Sequence, residues 1–176
     1  HGRNAGKLAA TADELRALPG AGPVETWQAD ISDLAATARL AREIRGAHNQ
    51  IDVLINNAGV YKLDHPVLPD GQDVRFVVNT MAPALLTRLL LGAIPADGRI
   101  IHLSSAAQAP VDLKALAGQR PLEPMAAYAQ SKLALTIWSQ ALAAELGPDG
   151  PVSLAVNPGS LLATNMVRQG FGVAGS

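Results

Sequence analysis

Apolar positions fall in two alternating textures along the chain. Short dense runs, each ending in small or polar residues, occur at residues 24–30 (VETWQAD), 51–57 (IDVLINN), 98–105 (GRIIHLSS) and 151–158 (PVSLAVNP). Runs of this length and texture suit buried parallel strands. Longer stretches with helical periodicity lie between them. Residues 5–18 are rich in Ala and Leu and stop at Pro19-Gly20. Residues 32–45 open with Ser32 and the acidic Asp33, an N-cap signal, and close near Gly46. Residues 74–91 form an apolar helix with Pro83 inside it as a kink point, and residues 126–146 form a second long helix ended by Gly147-Pro148.

Helix and strand therefore alternate four times. That alternation predicts an α/β fold with a doubly wound parallel sheet, in a single domain over residues 1–176. No internal repeat or low-complexity segment interrupts it. In such a sheet, ligands bind at the loops that follow strand C-termini. Four segments then share one edge: Asp30, Asn56-Asn57-Ala58-Gly59, Ser104-Ser105 and Asn157-Pro158-Gly159. Residues 59–73 and 106–124 are the long Pro/Gly-containing loops beside them.

Composition narrows the function classes. Of 176 residues, 48% are hydrophobic and 16% charged, enough apolar mass for a core. The net charge of −1, with no basic tract or aromatic ladder, argues against nucleic-acid binding. Cysteine is absent, which removes disulfides, thiolate metal sites and cysteine nucleophiles and is compatible with a reducing compartment; a cytoplasmic location is expected. The four histidines (His1, His48, His65, His102) lack ligand spacing, so no metal is expected. No uninterrupted apolar run reaches the ~18 residues of a membrane span.

Tyr128 and Lys132 stand four apart near the start of a predicted helix, hence on one face. An ammonium close to a phenol favours the phenolate, the condition for acid/base work near neutral pH. Alone, the pair is equally a surface helix with an extended lysine. Ser105 ends a strand on the predicted functional edge, where its hydroxyl can meet a carbonyl or alcohol, while Ser104 beside it suits backbone satisfaction. Asn79 sits mid-helix, where asparagine is a poor helix former, so its amide is expected to have a tertiary partner or a water. Ala58 and Gly59 allow close backbone approach by a ligand.

Taken together, Asp30, Asn56-Asn57-Ala58-Gly59, Asn79, Ser105, Tyr128-Ala129-Gln130-Ser131-Lys132 and Pro158-Gly159 resemble the short-chain dehydrogenase/reductase family, in the family's order and over nearly the whole chain. Residues 109–113 and 127–134, with the long segment between Ser105 and Tyr128, look like its retinol-dehydrogenase-like branch. The resemblance implies an NAD(P)-dependent oxidoreductase that moves a hydride between nicotinamide and a carbonyl or alcohol carbon. Tyr128 would then give a proton to the carbonyl oxygen, and Lys132 would lower its pKa and bind the nicotinamide ribose. Ser105 would orient the carbonyl, and Asn79 would hold a water in the proton relay behind Lys132. Asp30 and Ile31 would meet the adenine, Asn56 and Ala58 would line the adenosine side, and Pro158, Leu161 and Thr164 would approach the nicotinamide carboxamide.

Arg3 lies where the family's second strand ends. A guanidinium there suits a 2′-phosphate, so NADP is favoured, with NAD as the alternative. The family's first strand with its glycine turn, and its C-terminal end, have no counterpart, so a partial chain is expected, the activity belonging to the full-length protein. The expected partner is a small carbonyl or alcohol, aliphatic or of modest size, and homo-oligomers are a family tendency. A cofactor-sensing or scaffold protein of the same fold is the alternative outside catalysis.

Overall fold

A computed structural model describes residues 1–159. Three strands, β1 (Val53–Asn56), β2 (Arg99–Leu103) and β3 (Val152–Val156), form a parallel sheet in that order, with Ile55 level with Ile101 and Ile101 level with Leu154. Parallel neighbours need crossovers, and the helices supply them. The chain begins with α1 (Ala5–Arg16) and α2 (Leu34–Ala47). Between β1 and β2 run α3 (Val74–Phe76), a π-helical turn (Val77–Met81), α4 (Ala82–Leu90) and a 3₁₀ turn (Leu91–Ala93). Between β2 and β3 come the short α5 (Leu113–Leu116) and the long α6 (Pro124–Leu146). The expected α/β architecture with a parallel sheet is present.

Alternation along the strands sends Leu54, Ile100 and Ser153 to one face and Val53, Ile55, Val152 and Leu154 to the other. The first face is covered. Ile94, Ile100 and Leu142 form its core, with Leu54, Leu91 and Trp138 packed around them. Burying an aliphatic side chain of this size contributes about 1.5–3 kcal/mol. The second face is exposed among the described residues.

Residues 24–30 do not form the fourth strand that their apolar run predicts. Their one ladder contact is a parallel bridge between Gly2 and Gln28: Gly2 N–H donates to the Trp27 carbonyl and Ala29 N–H to the Gly2 carbonyl, both at 3.2 Å. An open cleft separates this segment from β1, so nothing among the described residues completes a ladder there. Side chains hold it instead, through the 2.9 Å His48–Glu25 pair and the edge contact of Trp27 with His48.

Helix ends follow local chemistry. Asp33, not Ser32, caps α2, its carboxylate accepting the Ala35 N–H at 2.8 Å, because Ser32 is taken by Asp30: its N–H and O–H donate to the Asp30 carboxylate at 2.9 and 2.7 Å. Helix α2 runs through Gly46 and ends at His48 in extended conformation. Pro124 opens α6, where its missing N–H costs nothing, and Gly147 at φ +69° ends it. Asp112 caps α5, a helical turn inside the predicted 106–124 loop.

The helix after the 59–73 loop is irregular at its middle, near Pro83. It widens one turn earlier, over the π turn, where Ala82 N–H reaches back five residues to the Val77 carbonyl. Pro83 then sits in the first turn of α4 and brings no backbone donor of its own. The run Val74–Ala93 is, by length and composition, able to cross a membrane, more than the apolar pattern suggests. Here it is the central helix of the covering layer: α3 packs against α6 and α4 against α2.

Candidate active site

The strand ends set the site. Leu103 is level with Val156, and Ser104 N–H donates to the Val156 carbonyl at 2.8 Å, so Ser105 and Asn157-Pro158 leave the sheet side by side. Helix α6 is stitched to the same edge. Ser104 Oγ lies 2.7 Å from Thr136 Oγ1 and donates to the Lys132 carbonyl at 3.2 Å. Ser104 thus has the backbone-satisfying role that its position suggests. Ser105 Oγ accepts the Ala107 N–H at 3.1 Å, which fixes the oxygen and leaves its O–H free to donate outward.

Tyr128 and Lys132 occupy successive turns of α6 on the face turned to this edge, with 9% and 3% exposure. Lys132 Nζ donates to the Leu103 carbonyl at 2.7 Å and lies 5.8 Å from the centroid of the Tyr128 ring. Burial lowers the Lys132 ammonium to about 8. The Tyr128 hydroxyl has no partner among the described residues and is not sealed from solvent.

Asn79, in the π turn, is fully buried. Its Oδ1 accepts the Val60 N–H at 2.8 Å. Its Nδ2 donates to the Val60 carbonyl at 3.0 Å and to Ser131 Oγ at 2.9 Å. Ser131 Oγ in turn donates to the Tyr128 carbonyl at 2.7 Å. The amide has both donors engaged, so it acts as a clamp between the loop after β1 and the turn that carries Tyr128. Ser131 is a member of this cluster that the spacing argument missed. Its signal is in the sequence: a small polar residue three after Tyr128, between it and Lys132.

Beside this cluster lies a cleft of about 460 Å³ between residues 1–3 and 29–31 on one side and the end of β1 on the other. Arg3, Asp30, Ile31, Asn56, Ala58 and Gly59 all line it, as does Val60, the residue that Asn79 clamps. The Asp30 carboxyl is pushed up by partial burial, but the Ser32 N–H, the Ser32 hydroxyl and the Arg3 charge together hold it below its usual value. It stays ionised beside the guanidinium. Asn56 faces the core: its Nδ2 lies 3.0 Å from Thr87 Oγ1 and 3.1 Å from His102 Nδ1, so it offers the cleft backbone rather than amide. Pro158 is exposed at the adjoining strand end and does not line the cleft; Leu161 and Thr164 lie outside the described residues.

The 59–73 and 106–124 loops meet each other. Gly71 and Gly118 both have positive φ, +89° and +74°, and pack backbone to backbone; a Cβ on Gly118 would stand 2.9 Å from Gly71. Gln130, also in the Tyr128–Lys132 turn, accepts the Asp112 N–H at 2.9 Å and so ties the 106–112 loop to α6.

The family described as short chain dehydrogenase matches residues 1–171. Retinol dehydrogenase 13 of Homo sapiens is 35% identical over 162 residues, covering 89% of this chain and 49% of its own length. Polyprenol dehydrogenase of Danio rerio is 36% identical over 148 residues, covering 78% and 46%. The chain thus spans about half the length of the curated relatives it matches. Among solved structures, a short chain dehydrogenase from Burkholderia cenocepacia J2315 in complex with NADP matches at TM-score 0.70 and 30% identity, over 90% of this chain and 61% of its own. A metagenomic short-chain oxidoreductase in complex with NADP matches at TM-score 0.67 and 32% identity, over 89% and 68%.

Proposed function

Because the chain belongs to the short-chain dehydrogenase family, within its retinol-dehydrogenase-like branch, we propose that it carries the acid/base and adenosine-facing groups of an NADP(H)-dependent oxidoreductase acting on an apolar alcohol or its carbonyl. One observation carries the reading. A single hydrogen-bonded cluster (Asn79, Ser131, the Tyr128 backbone) fixes Tyr128 beside a buried ammonium, at the strand edge where Ser105 presents a free hydroxyl.

The cleft fits a dinucleotide at its adenosine end. Its wall has small residues at Ala58 and Gly59 and apolar surface from Ile31, with the Arg3 and Asp30 charges at one side. Arg3 would hold a 2′-phosphate, Asp30 and Ile31 the adenine, and Asn56 and Ala58 the adenosine through backbone. Both NADP-bound structural relatives agree with that preference. When bound, the nicotinamide supplies or accepts the hydride.

The protein's part is the proton. During reduction the Tyr128 hydroxyl donates to the carbonyl oxygen while the Ser105 O–H donates to the same oxygen and supports its growing charge. Lys132, held by Leu103, keeps a positive charge next to the phenol as the proton leaves. Retinol and polyprenol, the alcohols in two relatives' names, are both isoprenoid, so an apolar isoprenoid or aliphatic alcohol is the substrate class to try first.

Tyr128→Phe in the full-length protein tests the assignment. General acid/base catalysis contributes ~10²–10⁴-fold. Reduction of retinal with NADPH should fall by that factor while NADPH binding, read by fluorescence, stays within about twofold. Undiminished reduction by the variant would refute Tyr128 as the acid.

A further inference from the structure

The chain contains two tyrosines, and the fold brings them together. Tyr61, on the loop after β1, packs on Tyr128 of α6 with ring centroids 5.2 Å apart and planes tilted by 59°. Both are nearly buried, at 8% and 9% exposure. A tyrosine of average duty exposes its edge and needs no such neighbour. Here the neighbour is delivered by residues that already hold the site.

Val60, immediately before Tyr61, has both its N–H and its carbonyl bound by the Asn79 amide. The same amide binds Ser131, which binds the Tyr128 carbonyl. One side chain therefore fixes the backbone beneath both rings, and the ring contact closes the circuit. Tyr128 also has the Lys132 ammonium at 5.8 Å from its centroid. The phenol ring thus has two ring-distance neighbours, a cation anchored on β2 and an aromatic ring whose backbone is clamped to the helix after β1.

We infer that Tyr61 is a positioning residue for the reaction: its ring sets the orientation of the Tyr128 ring, and hence where the phenolic hydroxyl meets the substrate oxygen. This rests on Tyr128 being the proton donor. Proton transfer demands placement to within about 0.5 Å and 10–20° of the productive geometry, and a displaced catalytic group loses rate steeply. Two side-chain torsions must be fixed for a tyrosine, and backbone clamping fixes neither. A tilted aromatic partner fixes the ring plane through packing and quadrupole alignment. The hydroxyl of Tyr61 has no partner among the described residues, so the ring is the working part.

The test compares Tyr61→Phe, which keeps the ring, with Tyr61→Leu and Tyr61→Met, which remove it. In the full-length enzyme with NADPH and retinal, Phe should leave kcat within about twofold, whereas Leu and Met should lower kcat about tenfold, the size of an aromatic-pair contribution. KM for retinal and NADPH affinity should hardly change, a split that general destabilisation does not produce. A second readout needs no substrate. With ring-labelled tyrosine, the Tyr128 signals are identified by their absence from the Tyr128→Phe spectrum. The ring-current displacement of its protons should persist in Phe and vanish in Leu and Met. Unchanged kcat in folded Leu or Met variants, alongside a dead Tyr128→Phe, would overturn the positioning role while leaving the proton donor intact. Full activity of Tyr128→Phe would overturn both. Identical Tyr128 spectra in the Phe and Leu variants would also overturn the positioning role, whatever the turnover.

Discussion

Acidification should weaken this fold at His102 in the middle of the sheet. It lies in the middle strand, fully buried, with Nδ1 3.1 Å from the Asn56 amide nitrogen and its ring edge-on to Trp138 at 5.1 Å between centroids. The amide is a donor, so Nδ1 accepts and the ring is neutral with its proton on Nε2, which has no hydrogen-bond partner among the described residues. Burial lowers the imidazole from 6.5 to about 4. The folded state thus prefers the neutral ring, and the unfolded chain takes up the proton first. Stability from this group is complete above pH ~6.5 and is lost as pH falls toward 4. At ~1.4 kcal/mol per decade the full loss is about 3 kcal/mol, and at pH 4.5 it is about 2.5 kcal/mol. A domain is typically stable by 5–15 kcal/mol, so the loss is large. Urea unfolding followed by tryptophan fluorescence at pH 7.5, 6.5, 5.5 and 4.5 measures it, in the wild type and in His102→Asn. The carboxyls of Asp30, Asp112 and Glu145, all held below their usual values, also lose stability at low pH, but they are common to both proteins and act mostly at the acid end. The difference in slope between the two proteins isolates His102. Parallel loss of stability from pH 7.5 to 4.5 in both would refute the buried neutral imidazole.

Three further outcomes follow from other groups. The Lys132 ammonium, lowered by burial to about 8, is charged below that pH and neutral above it, so kcat/KM for carbonyl reduction should fall as pH rises through 8; a profile flat to pH 9.5 would contradict its role. Arg3→Ala should raise KM for NADPH roughly 10- to 100-fold, the range of a lost charge-assisted bond, and leave KM for NADH near its starting value. Equal effects on both would remove the basis for the NADP preference. Asp73 binds the buried Arg75 guanidinium through two hydrogen bonds of 2.8 and 2.6 Å, so Asp73→Asn strands a charge and should cost about 3–5 kcal/mol in chemical denaturation; a loss under 1 kcal/mol would show that Arg75 finds water.

Much of this molecule is legible from pattern because local rules and tertiary packing agree. The runs at β1, β2 and β3 are apolar and bounded by turn residues, and they pair as expected. Tyr128 and Lys132 share a face because four residues make about one helical turn. The expectation for residues 24–30 failed for a non-local reason: an apolar run becomes a strand only if a neighbour supplies its ladder bonds, and the run itself carries no record of that neighbour. Pro83 marks an irregular place in the helix, but a proline does not say what form the irregularity takes; here a wider turn stands just before it. Asn79 was visible as an oddity. Its clamp on Val60 and Ser131 was not, since those partners come from loop and helix positions that the sheet brings near. Tyr61 had no signal at all. One aromatic in a loop is unremarkable until its ring partner is known.

The wide turn over Val77–Met81 also acts as a phase adjuster. An extra residue in one turn rotates everything after it by ~100° relative to a regular helix. With that offset α3, at the front of the helix, meets α6 while α4, at the rear, meets α2. Removing one residue from this turn would yield a more regular helix and a worse protein, because one of the two halves would then point its greasy side at the wrong neighbour.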